Sequence, residues 1–169
     1  MIIILRNPVA RLYSDYTYIS TGILSPERFH QEVLAEISAF RDCIRYHDIR
    51  FCVYHNSFNE SDVSSTARLH NGFYASFIEE YMKCFPRDQF HILRLEDYSE
   101  NKVEEMRKIF QFLNLRDVEV PHTKTRRNKG RKNTRDMLPE TRNVLTKFYQ
   151  PYTDHLADLL RDERFLWLQ

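Results

Sequence analysis

The sequence predicts an α/β protein in which helices cover a parallel β-sheet. Ile2–Leu5 is a short, wholly apolar and mostly β-branched run, which is typical of a strand buried on both faces of such a sheet. Phe90–Leu95 is predicted to form a second strand, and amphipathic segments lie between and after the two strands. Because ligands of such folds bind at the carboxyl ends of strands, Arg6, Glu96 and Asp97 are the first candidate site residues.

Helix start signals follow the first strand closely. Pro8 suits a first helical turn, so a helix is expected to begin there. Ser25, Pro26 and Glu27 combine a capping hydroxyl, a proline at the first helical position and an acid in the first turn. The apolar stripe of this second helix is predicted to consist of Phe29, Val33, Ile37 and Phe40 or Ile44.

Three further helices are predicted towards the C-terminus. One runs from about Asp62 to Phe85 and ends at a Pro86 turn, the next is capped by Ser99, and the last begins at Pro139. Pro151 is expected to break or kink the last helix. The predicted inward residues are Leu69, Phe73, Phe77, Tyr81 and Phe85 in the first, Val103, Met106, Phe110 and Leu113 in the second, and Leu145, Phe148, Tyr149, Leu156, Leu159 and Leu160 in the last, with Phe165 and Trp167 docking the tail.

Charge is distributed unevenly along the 169 residues, although the net charge is only +1. Seven Lys or Arg residues fall between Lys124 and Arg135, inside an aperiodic polar stretch that begins at Arg116. A local basic patch on a nearly neutral protein favours a site for an anion over a general polyanion surface. A loop of this length in a compact domain is usually functional or disordered.

The cysteines leave two interpretations open. Cys43 and Cys52 can form a disulfide in an oxidising compartment, or they are simply buried thiols. Asn59, Glu60 and Ser61 form an N-glycosylation sequon, which favours the secretory lumen. No run approaches the roughly 20 apolar residues that span a bilayer.

The segment after the first strand carries groups suited to a phosphate. An arginine at a strand tip can bind a phosphate with two parallel hydrogen bonds, and a serine on the following helix can donate another. Arg6 and Ser14 occupy these places, and the helix start adds its positive end. The alternative is that Arg6 forms a salt bridge and Ser14 is a solvated helix residue.

This segment resembles the 3′-phosphate-binding motif of sulfotransferases, Arg-x-Pro-x-x-Arg-x-x-Ser-x-Tyr. The resemblance implies that Arg6 and Ser14 bind the 3′-phosphate of 3′-phosphoadenosine 5′-phosphosulfate, the co-substrate of that family. It implies no metal. Every defined position of the motif is matched, by Arg6, Pro8, Arg11, Ser14 and Tyr16.

A second resemblance lies in the basic loop. Gly130 is one of only three glycines, and between Lys129 and Arg131 it lets the backbone approach a ligand closely. Glycosaminoglycan sulfotransferases have a similar Lys-Gly-Arg, which implies that Gly130 and Arg131 contact the nucleotide. Lys129 would lie near the sulfuryl group and act catalytically by stabilising the charge that develops there. The alternative is a solvated basic loop.

Other strings resemble the N-acetylgalactosamine 4-sulfate 6-O-sulfotransferase branch of Golgi carbohydrate sulfotransferases. They are Leu93–Asp97, the run from Phe110 to Leu115, and Arg68–Tyr74 with its Gly72. For Glu96 and Asp97 we favour a role in helix capping and loop structure over a catalytic role. The seven histidines show no metal spacing; contacts of His55 and His70 with a sulfated sugar are a minor alternative.

The resemblance implies a three-layer, P-loop-like sulfotransferase fold, of which residues 1–169 form the C-terminal portion. Gly22, Gly72 and Gly130 lie too far apart to form a Gly-rich loop for the 5′-phosphosulfate, so the N-terminal phosphate-loop unit is expected to be absent. The resemblance implies that the catalytic base, which the family usually places soon after that loop, is absent as well. The isolated chain is therefore expected to be inactive.

The resemblance implies sulfuryl transfer to a glycosaminoglycan, at the 6-hydroxyl of N-acetylgalactosamine 4-sulfate in chondroitin or dermatan sulfate. A heparan sulfate sulfotransferase and a non-catalytic module that binds sulfated polysaccharides are the alternatives. The family implies a glycoprotein of the Golgi lumen, attached to the membrane only through an N-terminal anchor outside this chain. No nucleic-acid partner is expected, because the aromatic residues fall at core spacing.

Overall fold

The computed structural model describes residues 1–19, 25–58, 67–116, 118 and 135–168, without the side chains of 56–58. The chain divides into two compact units. The first consists of residues 1–6 and 80–128, and the second of residues 7–79 and 129–169.

The first unit contains the parallel sheet that the sequence predicts. Strand β1 (Ile2–Leu5) pairs in parallel with β2 (His91–Arg94), and Ile3 lies opposite Ile92. Helices that follow β2 in the chain pack on it. This arrangement of helices and a parallel pair of strands confirms the predicted α/β class.

The prediction that β1 is buried on both faces is wrong for the part of the chain that the structure describes. Ile2 and Ile4 are 44% and 50% exposed, whereas Leu5 is 7% exposed. Successive side chains of a strand point to opposite faces. Only the face that carries Ile3 and Leu5 is covered by described residues.

A short helix separates β2 from the helix that the sequence predicts next. Helix α4 (Tyr74–Cys84) leads through a 3₁₀ turn (Arg87–Gln89) into β2, which is followed by α5 (Leu95–Glu100) and α6 (Lys102–Phe112). The prediction that Ser99 caps α6 is wrong, because Ser99 lies inside α5. The cap is Asn101, whose side-chain oxygen accepts a hydrogen bond from the Glu104 amide at 3.3 Å.

The inward face of α6 is only partly as predicted. Val103, Met106 and Phe110 are half-buried, but Leu113 lies beyond the helix and is 45% exposed. Glu105 is the residue of α6 that is buried, and Lys108 pairs with it at 2.6 Å. The long side chain of Lys108 thus pairs with the buried carboxylate of Glu105.

The second unit is helical, and its start signals act as predicted. Helix α1 begins at Pro8, and the Ser25 hydroxyl accepts a hydrogen bond from the Arg28 amide at 3.2 Å to cap α2. Helix α3 was not predicted. The helices of this unit are α1 (Pro8–Ile19), α2 (Pro26–Cys43), α3 (Ile49–Phe58), α4 (Tyr74–Cys84, which continues into the first unit) and α7 (Pro139–Leu160).

The core of the second unit is an aromatic cluster between α2, α7 and the segment before α4. The Phe40 and Phe73 rings lie 4.6 Å apart, and Phe148 meets both edge-on. Ile44 is 41% exposed, so the stripe of α2 ends at Phe40. The predicted inward residues that are buried are Phe29, Val33, Ile37 and Phe40 in α2 and Leu145, Phe148, Tyr149, Leu156 and Leu160 in α7.

The prediction of one continuous helix from about Asp62 to Phe85 is wrong. Residues 62–66 lie outside the described residues, Leu69–Gly72 is a 3₁₀ helix, and α4 begins only at Tyr74. Tyr81 and Phe85 are 49% and 44% exposed instead of inward. At this interruption Gly72 lies against Tyr149 of α7, whose hydroxyl donates a hydrogen bond to the Leu69 carbonyl.

Helix α7 continues through Pro151 without a break. Proline removes one backbone hydrogen bond from a helix interior, a loss that packing can offset. Here Tyr149 before the proline and Leu156 after it are each 1% exposed. The tail docks as predicted, with Phe165 2% exposed and the Trp167 ring 6.2 Å from Tyr74.

A disulfide joins Cys43 to Cys52, with the two Cα atoms 5.9 Å apart. Of the two interpretations left open by the sequence, the structure has the disulfide. It ties the last residue of α2 to α3, and Cys52 is fully buried. No helix of the described ranges is both long and apolar enough to cross a membrane.

Candidate functional site

Arg6 lies where the sequence predicts it, immediately after the last residue of β1. It belongs to the first unit and is half-buried. Ser14 belongs to the second unit. Lys129, Gly130 and Arg131 lie outside the described residues, and their roles stay predictions.

The first turn of α1 is closed by its own cap. The Asn7 side-chain oxygen accepts hydrogen bonds from the Val9 and Ala10 amides at 3.0 and 3.1 Å. The Arg11 amide donates to the Asn7 carbonyl at 2.8 Å. Because these amides already have partners, an anion near this helix has to be held chiefly by side chains.

The two hydroxyl residues of the motif face opposite sides of α1. Tyr16 is 1% exposed, and its hydroxyl donates to the Ser25 carbonyl at 3.1 Å. Ser14 is exposed. The motif therefore contains one residue that fixes the helix in the core and one whose hydroxyl is accessible to a ligand.

The second arginine of the motif is part of an ion-pair network. Arg11 Nη1 lies 3.3 Å from Asp15 Oδ2, and Arg68 Nε donates to the same oxygen at 3.0 Å. Arg68 also binds the other Asp15 oxygen, and Arg11 Nη2 donates to the Arg68 carbonyl at 3.0 Å. The Arg11–Asp15–Arg68 network thus anchors α1 to the chain that precedes the Leu69–Gly72 turn.

Two neutral titratable groups lie in the same part of the unit. The Tyr149 hydroxyl donates to the Leu69 carbonyl at 2.8 Å, and burial raises the pKa of Tyr149. Burial, with the charges of Arg11 and Arg68, lowers the pKa of His70 to about 4. Two arginines against the one carboxylate of Asp15 leave a net positive charge next to Ser14, which favours an anion.

His70 gives a prediction about pH and stability. The folded protein protonates His70 only near pH 4, whereas the unfolded chain does so near 6.5, so protons favour unfolding between these values. The stabilising effect is full above pH 6.5 and is lost as the pH falls towards 4. Allowing for the solvent-exposed part of the ring, we expect the free energy of unfolding to fall by about 1–2 kcal/mol from pH 6.5 to about pH 4.5.

Urea denaturation at the two pH values measures this effect. The matched variant is His70→Gln, which keeps a polar side chain but has no proton to gain. We expect the variant to lose less stability than the unmodified chain between the two pH values. Equal losses in the two proteins would show that carboxylates, and not His70, cause the pH dependence.

The expectation that Glu96 and Asp97 cap a helix is wrong, because α5 has no side-chain cap hydrogen bond and Asp97 forms an ion pair with Arg94 instead. Both lie in the first turn of α5, and Arg94 Nε donates to Asp97 Oδ2 at 3.0 Å. The Asp97 carbonyl also accepts from the Asn101 amide at 2.9 Å. In the described ranges, no group of three or more His, Cys, Asp or Glu residues is placed to hold a metal ion.

Sequence reasoning missed the Arg11–Asp15–Arg68 network. A local signal existed for the pair of Arg11 and Asp15, because Asp15 lies four residues after Arg11 on the same helix, at the spacing of ion pairs. Arg68 was noted only as part of a similar string. Its partner lies 53 residues away, and no local spacing predicts such a contact.

Comparisons with known proteins agree on one family. A family model described as the sulfotransferase domain matches residues 1–153. Carbohydrate sulfotransferase 15 from Homo sapiens is 38% identical over 176 aligned residues, which cover 99% of this chain and 31% of that protein. Carbohydrate sulfotransferase 15 from Nototodarus sloanii is 31% identical over 147 residues, covering 82% of this chain and 90% of that protein.

A solved structure supports the fold. The sulfotransferase from Alicyclobacillus acidocaldarius superposes with a TM-score of 0.63 at 24% identity, covering 95% of this chain and 54% of the bacterial one. At this identity the likeness concerns the fold alone. The chain spans about a third of the length of the human relative and about half of the bacterial protein.

Proposed function

The chain belongs to the sulfotransferase domain family, and on this basis we propose that its parent protein transfers a sulfuryl group from 3′-phosphoadenosine 5′-phosphosulfate to a hydroxyl of a glycosaminoglycan. Residues 1–169 would be the C-terminal portion of the catalytic domain. The relatives named carbohydrate sulfotransferases support a sugar as the acceptor.

The observation that carries the proposal is the organisation of α1. Tyr16 packs into the core and Arg11 is held by Asp15, whereas Ser14 is exposed beside a net positive charge. Arg6 follows β1 directly, at the end of a parallel strand where ligands bind in such folds. We assign the 3′-phosphate of the nucleotide to Arg6 and Ser14.

The reaction depends on stabilisation of developing charge more than on covalent catalysis by the enzyme. The acceptor oxygen forms a bond to sulfur as the bond from sulfur to the phosphate oxygen breaks, and adenosine 3′,5′-bisphosphate leaves. Lys129 would stabilise the negative charge that grows on the leaving phosphate, with Gly130 and Arg131 holding the nucleotide. The proton of the acceptor hydroxyl passes to a base that none of these residues supplies.

For the acceptor we propose chondroitin or dermatan sulfate, modified at the 6-hydroxyl of N-acetylgalactosamine 4-sulfate. The resemblance to that branch supports this choice. The Cys43–Cys52 disulfide supports an oxidising compartment and so a Golgi lumenal site, since disulfides persist there and are rare in the cytosol.

Ser14→Ala tests the assignment of the 3′-phosphate. Loss of one hydrogen bond to a charged group should weaken binding of adenosine 3′,5′-bisphosphate about tenfold or more. Binding of adenosine 5′-phosphate, which lacks the 3′-phosphate, should not change. The measurement is the ligand-induced shift in thermal unfolding over a range of concentrations of each nucleotide.

Thr146→Ala is the matched control, because it removes an exposed hydroxyl from α7. It should leave the affinity for both nucleotides unchanged. If Ser14→Ala weakens the binding of both nucleotides equally, or the binding of neither, Ser14 does not bind the 3′-phosphate.

A further inference from the structure

A second candidate site lies in an open cleft between α2 and α7 of the second unit. Its volume is about 500 Å³, within the range of roughly 300–1,000 Å³ found for small-molecule sites. None of its lining residues belongs to the nucleotide motif or to the Arg11–Asp15–Arg68 network. The cleft is lined by Leu34, Ile37, Ser38, Arg41, Asp42 and Arg45 with Val144, Lys147 and Phe148.

The floor of the cleft is apolar and belongs to the core. Ile37 and Phe148 are 3% and 7% exposed, and Val144 is half-buried beside them. Leu34 at the rim is 39% exposed. A ligand that covers this rim and floor removes apolar surface from water, which favours its binding.

The walls of the cleft are cationic. Arg45 Nη1 lies 3.1 Å from Asp42 Oδ1, so this exposed pair is close to neutral. Arg41 on α2 and Lys147 on α7 are both exposed, and they add a positive charge to each side of the apolar floor. Three cations against one carboxylate give the lining a net charge of +2.

We propose that this cleft binds a sulfated segment of the polysaccharide acceptor, with Arg41 and Lys147 holding sulfate groups. The guanidinium fork matches the oxygens of a sulfate as it matches those of a phosphate, and sulfate esters stay charged at every physiological pH. The carbon-bound hydrogens of the sugar ring pack on the apolar floor. This inference rests on the proposed function, because that function names a sulfated polysaccharide as the substrate.

A contact of the polysaccharide with the cleft, in addition to its contact at the reacting position, would affect which substrates are preferred. A chain long enough to reach the cleft and the reacting position at once binds more tightly than a short one, because its second contact is intramolecular. The cleft would therefore favour longer and already sulfated chains.

The test is a titration of the full chain, without nucleotide, with a hexasaccharide of chondroitin sulfated at both the 4- and 6-positions. We expect Arg41→Ala combined with Lys147→Ala to weaken binding about tenfold or more, since two charge-assisted contacts are lost. The matched control is Arg116→Ala combined with Arg142→Ala, which removes two exposed arginines that do not line the cleft and should change the affinity less than twofold.

The conservative pair Arg41→Lys and Lys147→Arg keeps both charges and should retain most of the affinity. Thermal unfolding confirms that each variant is folded. If the alanine pair binds the hexasaccharide as tightly as the unmodified chain does, the proposal is overturned. It is also overturned if a DNA oligonucleotide of equal charge binds as tightly and with the same dependence on Arg41 and Lys147.

Nucleotide binding in the same samples separates this inference from the proposed function. If the alanine pair loses hexasaccharide binding but binds adenosine 3′,5′-bisphosphate as before, the result supports a distinct site in the cleft. If the chain binds no such nucleotide but binds the hexasaccharide through Arg41 and Lys147, the cleft is confirmed and the proposed function fails.

Discussion

Gly72→Ala is expected to lower the free energy of unfolding by about 2–4 kcal/mol. A methyl group on Gly72 would lie 2.6 Å from Tyr149 Cε1 and 2.8 Å from the Tyr149 hydroxyl oxygen. The Tyr149 ring is 1% exposed and its hydroxyl is hydrogen-bonded to the Leu69 carbonyl, so the ring cannot move aside without losing packing and that bond. Urea denaturation measures the change.

A double-mutant cycle with Tyr149→Leu provides the control. In that background the ring is absent, so Gly72→Ala should cost much less than it does in the unmodified chain. Equal costs in the two backgrounds would show that the glycine is needed for a reason other than the approach of Tyr149.

Asp15→Ala is expected to lower the free energy of unfolding by about 2–3 kcal/mol. It leaves Arg11 and Arg68 facing each other without the carboxylate that joins them. Arg68, whose side chain is 42% exposed, can turn towards water, but Arg11 at 20% is held in place and keeps most of the cost. Denaturation in urea at neutral pH measures this loss.

Two further variants refine the interpretation. Asp15→Asn keeps the shape and one acceptor, and it should cost less than the alanine variant. Asp154→Ala removes an exposed carboxylate from α7 and should change stability by no more than about 0.5 kcal/mol. An Asp15→Ala loss as small as that of Asp154→Ala would mean that the network does not stabilise the fold.

Local signals predicted the elements that local interactions determine. The Ser25 cap and the starts at Pro8 and Pro139 require only neighbouring residues, and the structure confirms them. The interruption before α4 could not be predicted in this way, because it coincides with a contact between Gly72 and Tyr149, which lies far away in the sequence.

Helix α3 escaped prediction because it has no single apolar face. Phe51 is 43% exposed and stacks between His47 and His55, whereas Cys52 and Val53 are buried. Apolar residues on both sides of a helix hide its 3.6-residue period.

The residues of the candidate sites also differ in whether local sequence patterns can predict them. The proposed roles of Arg6 and Ser14 come from the resemblance of a local motif, which lies on one strand end and the helix that follows it. The network around Asp15 and the cleft between Arg41 and Lys147 depend on how distant helices pack. No local pattern specifies that packing.

The 3′-phosphate contact of Arg6 is the central claim, and a calorimetric titration tests it most directly. The chain is titrated with adenosine 3′,5′-bisphosphate and with adenosine 5′-phosphate, beside Arg6→Ala and the control Arg116→Ala. We predict that the bisphosphate binds more tightly, that Arg6→Ala removes this preference, and that Arg116→Ala preserves it. Equal affinities for the two nucleotides in the folded chain, or a preference that survives Arg6→Ala, would contradict the account.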